Sequence, residues 1–143
     1  MRMTVLGATG SIGCSTADVM LQHPDKFTAF ALVGHQNDEK MLQLAEQLRP
    51  EWVVMTDVAA AERLKGRLPA GVRLEAGMDA ATELAAASET DMVMAAMVGS
   101  AGLPATLAAV QAGKRVGLAN KECLVTAGRI FMEAARVSGA EVV

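Results

Sequence analysis

Three glycines near the start of the chain have the spacing of an anion-binding turn. Gly7, Gly10 and Gly13 follow a short apolar run at residues 4–6 and precede a segment whose apolar residues have helical spacing. Glycines recur where a backbone turns sharply, lets a pyrophosphate approach and packs a helix closely against a strand. A helix that begins near Ser11 would direct its unpaired N–H groups and the positive end of its dipole at the phosphates. The pattern therefore predicts a dinucleotide phosphate site.

The glycine spacing alone leaves two interpretations open. Its GxxGxxG pattern is less common than GxGxxG, and a glycine cluster can also be no more than a tight turn between a strand and a helix. The nucleotide interpretation requires a strand before the turn and a helix after it. Both are predicted here, so the sequence favours a nucleotide site.

A second candidate site follows the second predicted strand, at Gly34, His35, Gln36 and Asn37. A domain specific for NAD places a carboxylate about 20 residues after its glycine turn, where the acid binds the ribose 2′-hydroxyl. Residues 34–37 occupy that place and contain no acid. Because an acid there would repel a 2′-phosphate, its absence favours NADPH over NADH.

Two acids, Asp38 and Glu39, follow this segment directly. They suit the first turn of the next predicted helix, where negative charge complements the helix dipole. Residues 34–37 can also be interpreted as an ordinary polar loop, and that alternative stays open.

Asn120, Lys121 and Glu122 form a third candidate site, directly after a predicted strand at residues 115–118. Lys121 would bind an anionic substrate, and Asn120 would contact the ribose on the nicotinamide side. The alternative is a solvated helix start, with Glu122 near the helix N-terminus and Lys121 merely exposed. Nothing in the sequence indicates a desolvated Lys121, so a role as general base is not predicted.

Charge and composition argue against several other classes of protein. Thirteen basic and sixteen acidic residues leave a net charge of −3, with one Trp, three Phe and no Tyr, so a nucleic-acid partner is not expected. Cys14 and Cys123 have neither CxxC nor zinc-finger spacing and are predicted to be reduced, partly buried thiols. His23 and His35 are too few and too far apart to indicate zinc.

Length and hydropathy predict a single soluble domain over residues 1–143. The longest apolar run, residues 92–98, is much shorter than the about 20 residues that cross a bilayer. No charged and then apolar leader precedes the first predicted strand. We therefore expect a cytoplasmic protein that does not associate with membranes.

Strands and helices alternate along the chain and would position these residues. Prolines end the first two predicted helices, and residues 91–97 form an apolar run typical of a central strand covered on both faces. This alternation predicts an α/β fold that is Rossmann-like and doubly wound, with a mostly parallel sheet and helices on both faces. Ligands of such sheets bind beyond the carboxyl ends of the strands. The predicted strands cover residues 4–6, 27–33, 52–55, 72–75, 91–97, 115–118 and 141–143, and the predicted helices cover residues 11–23, 41–48, 57–65 and 78–87, a segment with Pro104 in its first turn, and residues 122 or 126 to 137.

Three segments of the chain resemble the 1-deoxy-D-xylulose 5-phosphate reductoisomerase family. They are residues 6–13, residues 93–99 with 101–103, and residues 118–122, and the resemblance extends over essentially the whole chain. Other NADP enzymes, including aspartate semialdehyde dehydrogenases, share the glycine turn, but the later Ala-Asn-Lys-Glu sequence is more specific. One of those reductases, or a non-catalytic module that senses NADPH, remains the alternative.

The resemblance implies a homodimeric enzyme of isoprenoid precursor synthesis that depends on NADPH and on a divalent metal, Mg²⁺ or Mn²⁺. Such an enzyme rearranges a phosphosugar, 1-deoxy-D-xylulose 5-phosphate, and reduces the product to 2-C-methyl-D-erythritol 4-phosphate. The resemblance further implies that Lys121 contacts the substrate. Residues implied to bind NADPH are Thr9, Gly10, Ser11 and Ile12 at the pyrophosphate, Gly34, His35, Gln36 and Asn37 at the 2′-phosphate, and Asn120 and Glu122 near the reactive end.

The chain departs from the family in three ways, of which its length is the largest. His35 and Gln36 stand where family members often carry basic or small residues, and Cys123 replaces a small hydroxyl residue. In the family, the metal ligands and the catalytic residues come after the position of Val143. The resemblance therefore implies that residues 1–143 are an N-terminal NADPH-binding domain without a metal site, which alone turns over little or nothing.

Overall fold

The computed structural model describes residues 1–97, 102–118 and 121–142. These residues form one seven-stranded sheet, and every strand pairing in it is parallel. The predicted doubly wound α/β fold is thus confirmed. The strands are β1 (Arg2–Leu6), β2 (Thr28–Gly34), β3 (Trp52–Met55), β4 (Arg73–Ala76), β5 (Met92–Ala95), β6 (Arg115–Leu118) and β7 (Glu141–Val142), and the helices are α1 (Ser11–Gln22), α2 (Asp38–Leu48), α3 (Val58–Leu64), α4 (Met78–Ala85), α5 (Leu103–Gln111) and α6 (Lys121–Ser138).

The order of the strands across the sheet is β4-β3-β2-β1-β5-β6-β7. From β1 the chain moves outward in one direction through β2, β3 and β4, then returns to place β5 on the other side of β1. It continues outward through β6 and β7. The reversal between β1 and β5 is a topological switch point, where ligands of open parallel sheets bind.

Local sequence accounts for several helix ends. α1 ends at Gln22, two residues before Pro24, because proline disfavours helical backbone in the residue that precedes it. α2 begins after Asn37, whose side chain caps the helix by accepting a hydrogen bond from the Lys40 main-chain nitrogen. Pro104 lies in the first turn of α5, where its missing N–H removes no helical hydrogen bond.

The helices form one layer on each face of the sheet. α1, α2 and α3 pack against one face, and their buried residues include Met41 and Leu64. α4, α5 and α6 pack against the other face, where small side chains such as Ala85 and Ala109 let the helices approach closely. Because side chains alternate along a strand, each inner strand contributes to both layers of the core.

One face of β5 differs from the prediction that the strand is covered on both sides. Val93 and Ala95 are buried beneath the second helix layer, whereas Met92 and Met94 are only partly buried. Met92 and Met94 are less covered because the helices on their side of the sheet, α1, α2 and α3, pack over the strands from β1 to β4. A groove of about 650 Å³, lined by residues that include Met92, Met94 and Gly117, lies on this face.

Cys14 is a free, half-buried thiol, as the sequence predicts, and its Sγ lies 3.8 Å from the carbonyl oxygen of Ala8. The side chain of Cys123 lies outside the described residues. None of the helices in the described part of the chain combines the length and the hydropathy that a membrane span requires.

Candidate nucleotide-binding site

The candidate site lies at the carboxyl ends of the parallel strands, which we call the carboxyl edge of the sheet. The last residues of β1 and β5, Leu6 and Ala95, are paired across the switch point. The main-chain nitrogen of Ala96 donates to the carbonyl oxygen of Leu6 at 2.8 Å, so the two strand ends stay together. The glycine turn begins directly above this pair.

Gly7 makes the turn possible. Its φ of +82° lies in the left-handed region, which favours glycine. A Cβ on Gly7 would also lie 2.8 Å from main-chain atoms of Ala96 and Met97. The main-chain nitrogens of Gly7 and Ala8 both donate to the carbonyl oxygen of Val33 at 2.9 Å, which ties the turn to β2.

Gly13 is needed for the contact between helix and turn. A Cβ at Gly13 would lie 2.6 Å from the Cα of Ala8 and would overlap the carbonyl oxygen of Gly7. Gly13 therefore sets the close approach of α1 to the turn after β1, which is the role of the third glycine in dinucleotide-binding turns.

Gly10 has no such structural requirement. Its φ of −81° and ψ of 178° are open to any residue, and a Cβ there would meet only the carbonyl oxygen of Gly7, at 3.5 Å. Gly10 is exposed and caps α1 without a side-chain hydrogen bond. Since the first bond of the helix runs from the Cys14 nitrogen to the Gly10 oxygen, the N–H groups of the first helical turn, residues 11–13, have no acceptor within the helix and can bind an anion.

A cavity of about 430 Å³ opens beside the glycine turn. It is bounded by the turn, by the segments that follow β2, β3 and β5, and by the start of α4. This volume lies within the range of small-molecule and cofactor sites. Its lining residues are Gly7, Thr9, Gly10, His35, Thr56, Met78, Ala96 and Met97.

The second candidate segment, residues 34–37, lies next to the glycine turn. Gly34 ends β2, and a Cβ there would lie 2.9 Å from Cε of Met41 and 3.2 Å from Cγ2 of Thr9. The absence of a side chain therefore lets Thr9 pack against the end of β2. Asn37 uses its Oδ1 to cap α2, which leaves its Nδ2 group as a hydrogen-bond donor.

His35 makes a contact that the sequence does not predict. Its Nδ1 lies 2.7 Å from Oγ1 of Thr56, the residue directly after β3. Thr56 is half-buried and lines the same cavity as His35. The sequence does not indicate this role for Thr56, because nothing local shows which strand lies beside β2.

Asp38 begins α2, as the sequence allows, but it is nearly buried rather than solvated. Its side chain is 13% exposed and accepts from Arg63, with Nε to Oδ1 at 3.1 Å, while Nη1 of Arg67 lies 3.6 Å from Oδ2. Glu39 pairs with Arg67 at 3.2 Å. We call these four residues, Asp38, Glu39, Arg63 and Arg67, the Asp38 cluster.

The third candidate segment follows β6 at the same carboxyl edge. α6 begins at Lys121, so Lys121 and Glu122 belong to its first turn. Asn120 and the side chains of Lys121 and Glu122 lie outside the described residues. Within the described part of the chain, no three His, Cys, Asp or Glu side chains are grouped in a way that could hold a metal ion.

The fold and the glycine turn define this chain as a Rossmann-like α/β domain of the dinucleotide-binding class. A sequence model of 1-deoxy-D-xylulose 5-phosphate reductoisomerase matches residues 3–128. The chain belongs to this family. The alternative of an aspartate semialdehyde dehydrogenase is not favoured.

Individual relatives agree with this assignment. The chain is 52% identical over 145 residues to the 1-deoxy-D-xylulose 5-phosphate reductoisomerase of Ralstonia pickettii, a match that covers 99% of this chain and 37% of the relative. The solved reductoisomerase of Zymomonas mobilis in complex with NADPH is 40% identical, with a TM-score of 0.94 over 99% of this chain and 38% of that one. A solved reductoisomerase in complex with NADPH, fosmidomycin and magnesium is 37% identical, with a TM-score of 0.90 over 99% of this chain and 35% of that one. The chain thus spans little more than a third of the length of these relatives.

Proposed function

We propose that this chain is the NADPH-binding portion of a reductoisomerase that converts 1-deoxy-D-xylulose 5-phosphate to 2-C-methyl-D-erythritol 4-phosphate, a step of isoprenoid precursor synthesis. Family membership supports the reaction, and the solved relative from Zymomonas mobilis, described as a complex with NADPH, supports the cofactor. When bound, NADPH supplies the hydride for the reduction. The residues of this chain bind and orient it.

The glycine turn at the switch point is the observation that carries this proposal. Gly7 and Gly13 are required by the fold, but Gly10 is not. Its open position beside the start of α1 leaves room for a pyrophosphate to approach the backbone. The residues around it, Thr9, Gly10, Ser11 and Ile12, would hold the pyrophosphate through main-chain N–H groups and the dipole of α1.

Residues after β2 would surround the 2′-phosphate of the adenosine. Gly34, His35, Gln36 and Asn37 carry no acid, and Asn37 keeps a donor after capping α2. His35 and Thr56 line the cavity beside the turn, where the adenosine would lie. This arrangement supports a preference for NADPH over NADH.

Residues after β6 would complete the site on the other side of the switch point. We place Asn120 and Glu122 along the cofactor near its reactive end and Lys121 in contact with the phosphosugar. The first turn of α6 lies at the carboxyl edge of the sheet, as the glycine turn does, and this common position supports the placement.

The remaining features belong to the proposed full-length enzyme. We propose that its Mg²⁺ or Mn²⁺ ligands and its catalytic residues follow residue 143, in the part of the relatives that this chain does not span, and that residues 1–143 are one NADPH-binding domain. A relative described as a complex with magnesium supports the metal. The enzyme would be a cytoplasmic homodimer without nucleic-acid or membrane partners.

Two measurements on the full-length protein test the proposal. Calorimetric titration should show NADPH binding at one site per chain, tighter than NADH, and a turnover assay with Mg²⁺, NADPH and the phosphosugar should consume both substrates. NADPH binding without turnover would favour a sensing module over an enzyme. If the full-length protein does not bind NADPH, the proposal is wrong.

A further inference from the structure

The loop at residues 34–37 contains no lysine or arginine, although the proposed function places a 2′-phosphate there. A phosphate monoester carries about 1.5 to 2 negative charges at pH 7. The loop itself offers only an imidazole, two amides and main-chain groups. A permanent positive charge for this phosphate would come from a neighbouring element.

Arg63 of α3 is the cation that touches the loop. Its Nη2 donates to the carbonyl oxygen of Gln36 at 3.1 Å, and its Nε donates to Oδ1 of Asp38 at 3.1 Å. These two hydrogen bonds fix the position of the guanidinium beside the loop. Among the described residues its Nη1 has no hydrogen-bond acceptor, and half of the side chain is exposed.

The other members of the Asp38 cluster hold this guanidinium in place. Asp38 also pairs with Arg67, and Arg67 pairs with Glu39, so the two acids are shared between two arginines. Lys40, in the first turn of α2, adds a third cation beside the loop. With Asp57, whose main-chain nitrogen donates to the carbonyl oxygen of His35 at 3.3 Å, three acids and three cations surround the loop.

We propose that Arg63 binds the 2′-phosphate of NADPH and supplies the preference for NADPH over NADH, while Asp38 positions its guanidinium. This inference rests on the proposed function. Arginine suits the role because its planar fork donates parallel hydrogen bonds to phosphate oxygens and keeps its charge at any physiological pH. Because Asp38 already fixes the fork, little side-chain freedom is lost on binding.

Lys40 and Arg67 are the rival cations. The structure gives the ammonium of Lys40 no contact with the loop among the described residues, since only its main-chain nitrogen bonds to Asn37. Arg67 follows the end of α3, one turn beyond Arg63 and farther from the carboxyl edge. It provides a control that removes the same charge and also breaks a contact with Asp38.

The test compares dissociation constants for NADPH and NADH by calorimetry in the full-length protein. Arg63→Leu removes a charged hydrogen-bond donor to the phosphate. It should raise the dissociation constant for NADPH by about 10- to 100-fold and change the dissociation constant for NADH by less than about twofold. Arg63→Gln, which keeps a donor for the Gln36 carbonyl, should lose the discrimination as well. Arg67→Leu and Lys40→Met should each retain most of it, and the thermal unfolding of every variant is recorded.

Each outcome decides the point. If the unmodified protein prefers NADPH and both Arg63 variants keep the same NADPH to NADH ratio, this inference is overturned while the proposed function stands. Equal weakening of both cofactors would indicate a purely structural role and also overturn it, as would loss of discrimination in Lys40→Met alone. If the unmodified protein binds neither cofactor, the proposed function itself fails.

Discussion

The imidazole Nδ1 of His35 lies 2.7 Å from the hydroxyl of Thr56, which joins the residues that follow two neighbouring strands of the sheet. The main chain reinforces this contact, because the Thr56 nitrogen donates to the carbonyl oxygen of Gly34 at 2.9 Å. The His35 ring is therefore held at the mouth of the cavity where we place the adenosine of the cofactor.

The first prediction follows from this contact. Thr56→Val removes the hydroxyl but keeps the shape, so the His35 ring loses its partner and NADPH binding should weaken by about threefold to tenfold, the worth of one hydrogen bond. Calorimetric titration measures it. Thr16→Val is the matched control, because among the described residues the Thr16 hydroxyl bonds only to the carbonyl oxygen of Ile12 in α1. Equal effects of the two substitutions would refute the role of His35.

The second prediction separates folding from binding at the glycine turn. Gly10→Ala places a methyl group where only one atom is near, at 3.5 Å, so the free energy of unfolding should fall by no more than about 1 kcal/mol, which is the preference for Gly over Ala at a helix N-cap. The same methyl group would obstruct a pyrophosphate, and NADPH binding should weaken on the order of tenfold or more. Chemical denaturation and calorimetry of the same preparation check both statements.

Gly13→Ala is the counterpart to that variant. Its methyl group would overlap the turn, and the forced movement of α1 should cost about 1–3 kcal/mol of stability or more. A stable Gly13→Ala protein would contradict the close packing, and a Gly10→Ala protein with unchanged NADPH affinity would show that the pyrophosphate does not approach at Gly10.

The order of strands and helices was predictable because its signals are local. β3 and β6 have the predicted bounds, residues 52–55 and 115–118, since each is a short apolar segment bounded by polar residues and turn formers. Pro24 indicated the end of α1 in the same way. The incomplete cover of Met94 was not predictable, because it depends on which strands α1, α2 and α3 cover rather than on the sequence of β5.

The glycine turn of the site was predictable for the same reason, since its three glycines lie within seven consecutive residues between a predicted strand and a predicted helix. The contacts of His35 with Thr56 and of Arg63 with Gln36 were not. They join residues 21 and 27 positions apart, and they depend on the β2-β3 pairing and on the length of the helices between strands. No periodicity in a single sequence carries that information.

The third prediction concerns a buried pair of hydroxyls beneath the switch point. Oγ1 of Thr4 lies 2.9 Å from Oγ1 of Thr90, and the Thr90 hydroxyl donates to the carbonyl oxygen of Leu84 at 2.8 Å. Thr4 must therefore be the donor within the pair. Both side chains are almost completely buried, so the unfolding free energy is sensitive to an unpaired group.

Removing the two hydroxyls should have unequal effects. Thr90→Val leaves the buried Thr4 hydroxyl without its acceptor, while the Leu84 carbonyl oxygen keeps the bond from the Ala87 nitrogen at 3.2 Å, and should cost about 1–3 kcal/mol. Thr4→Val leaves the Thr90 bond to Leu84 intact and should cost less. Urea denaturation of the two variants and of the double variant measures this order, and a greater loss in Thr4→Val would show that the proton assignment is wrong.

The last prediction tests why the loop after β2 favours NADPH. Gln36→Glu puts a carboxylate beside the proposed 2′-phosphate without changing the main-chain carbonyl that accepts from Arg63. Repulsion between like charges at short range should weaken NADPH binding by at least about fivefold and leave NADH nearly unchanged. Gln47→Glu, an equal charge change on the exposed part of α2 near its other end, is the control. The effect of Gln36→Glu should shrink in high salt because ions screen exposed charges, whereas a loss that persists in salt and extends to NADH would mean that the loop was distorted.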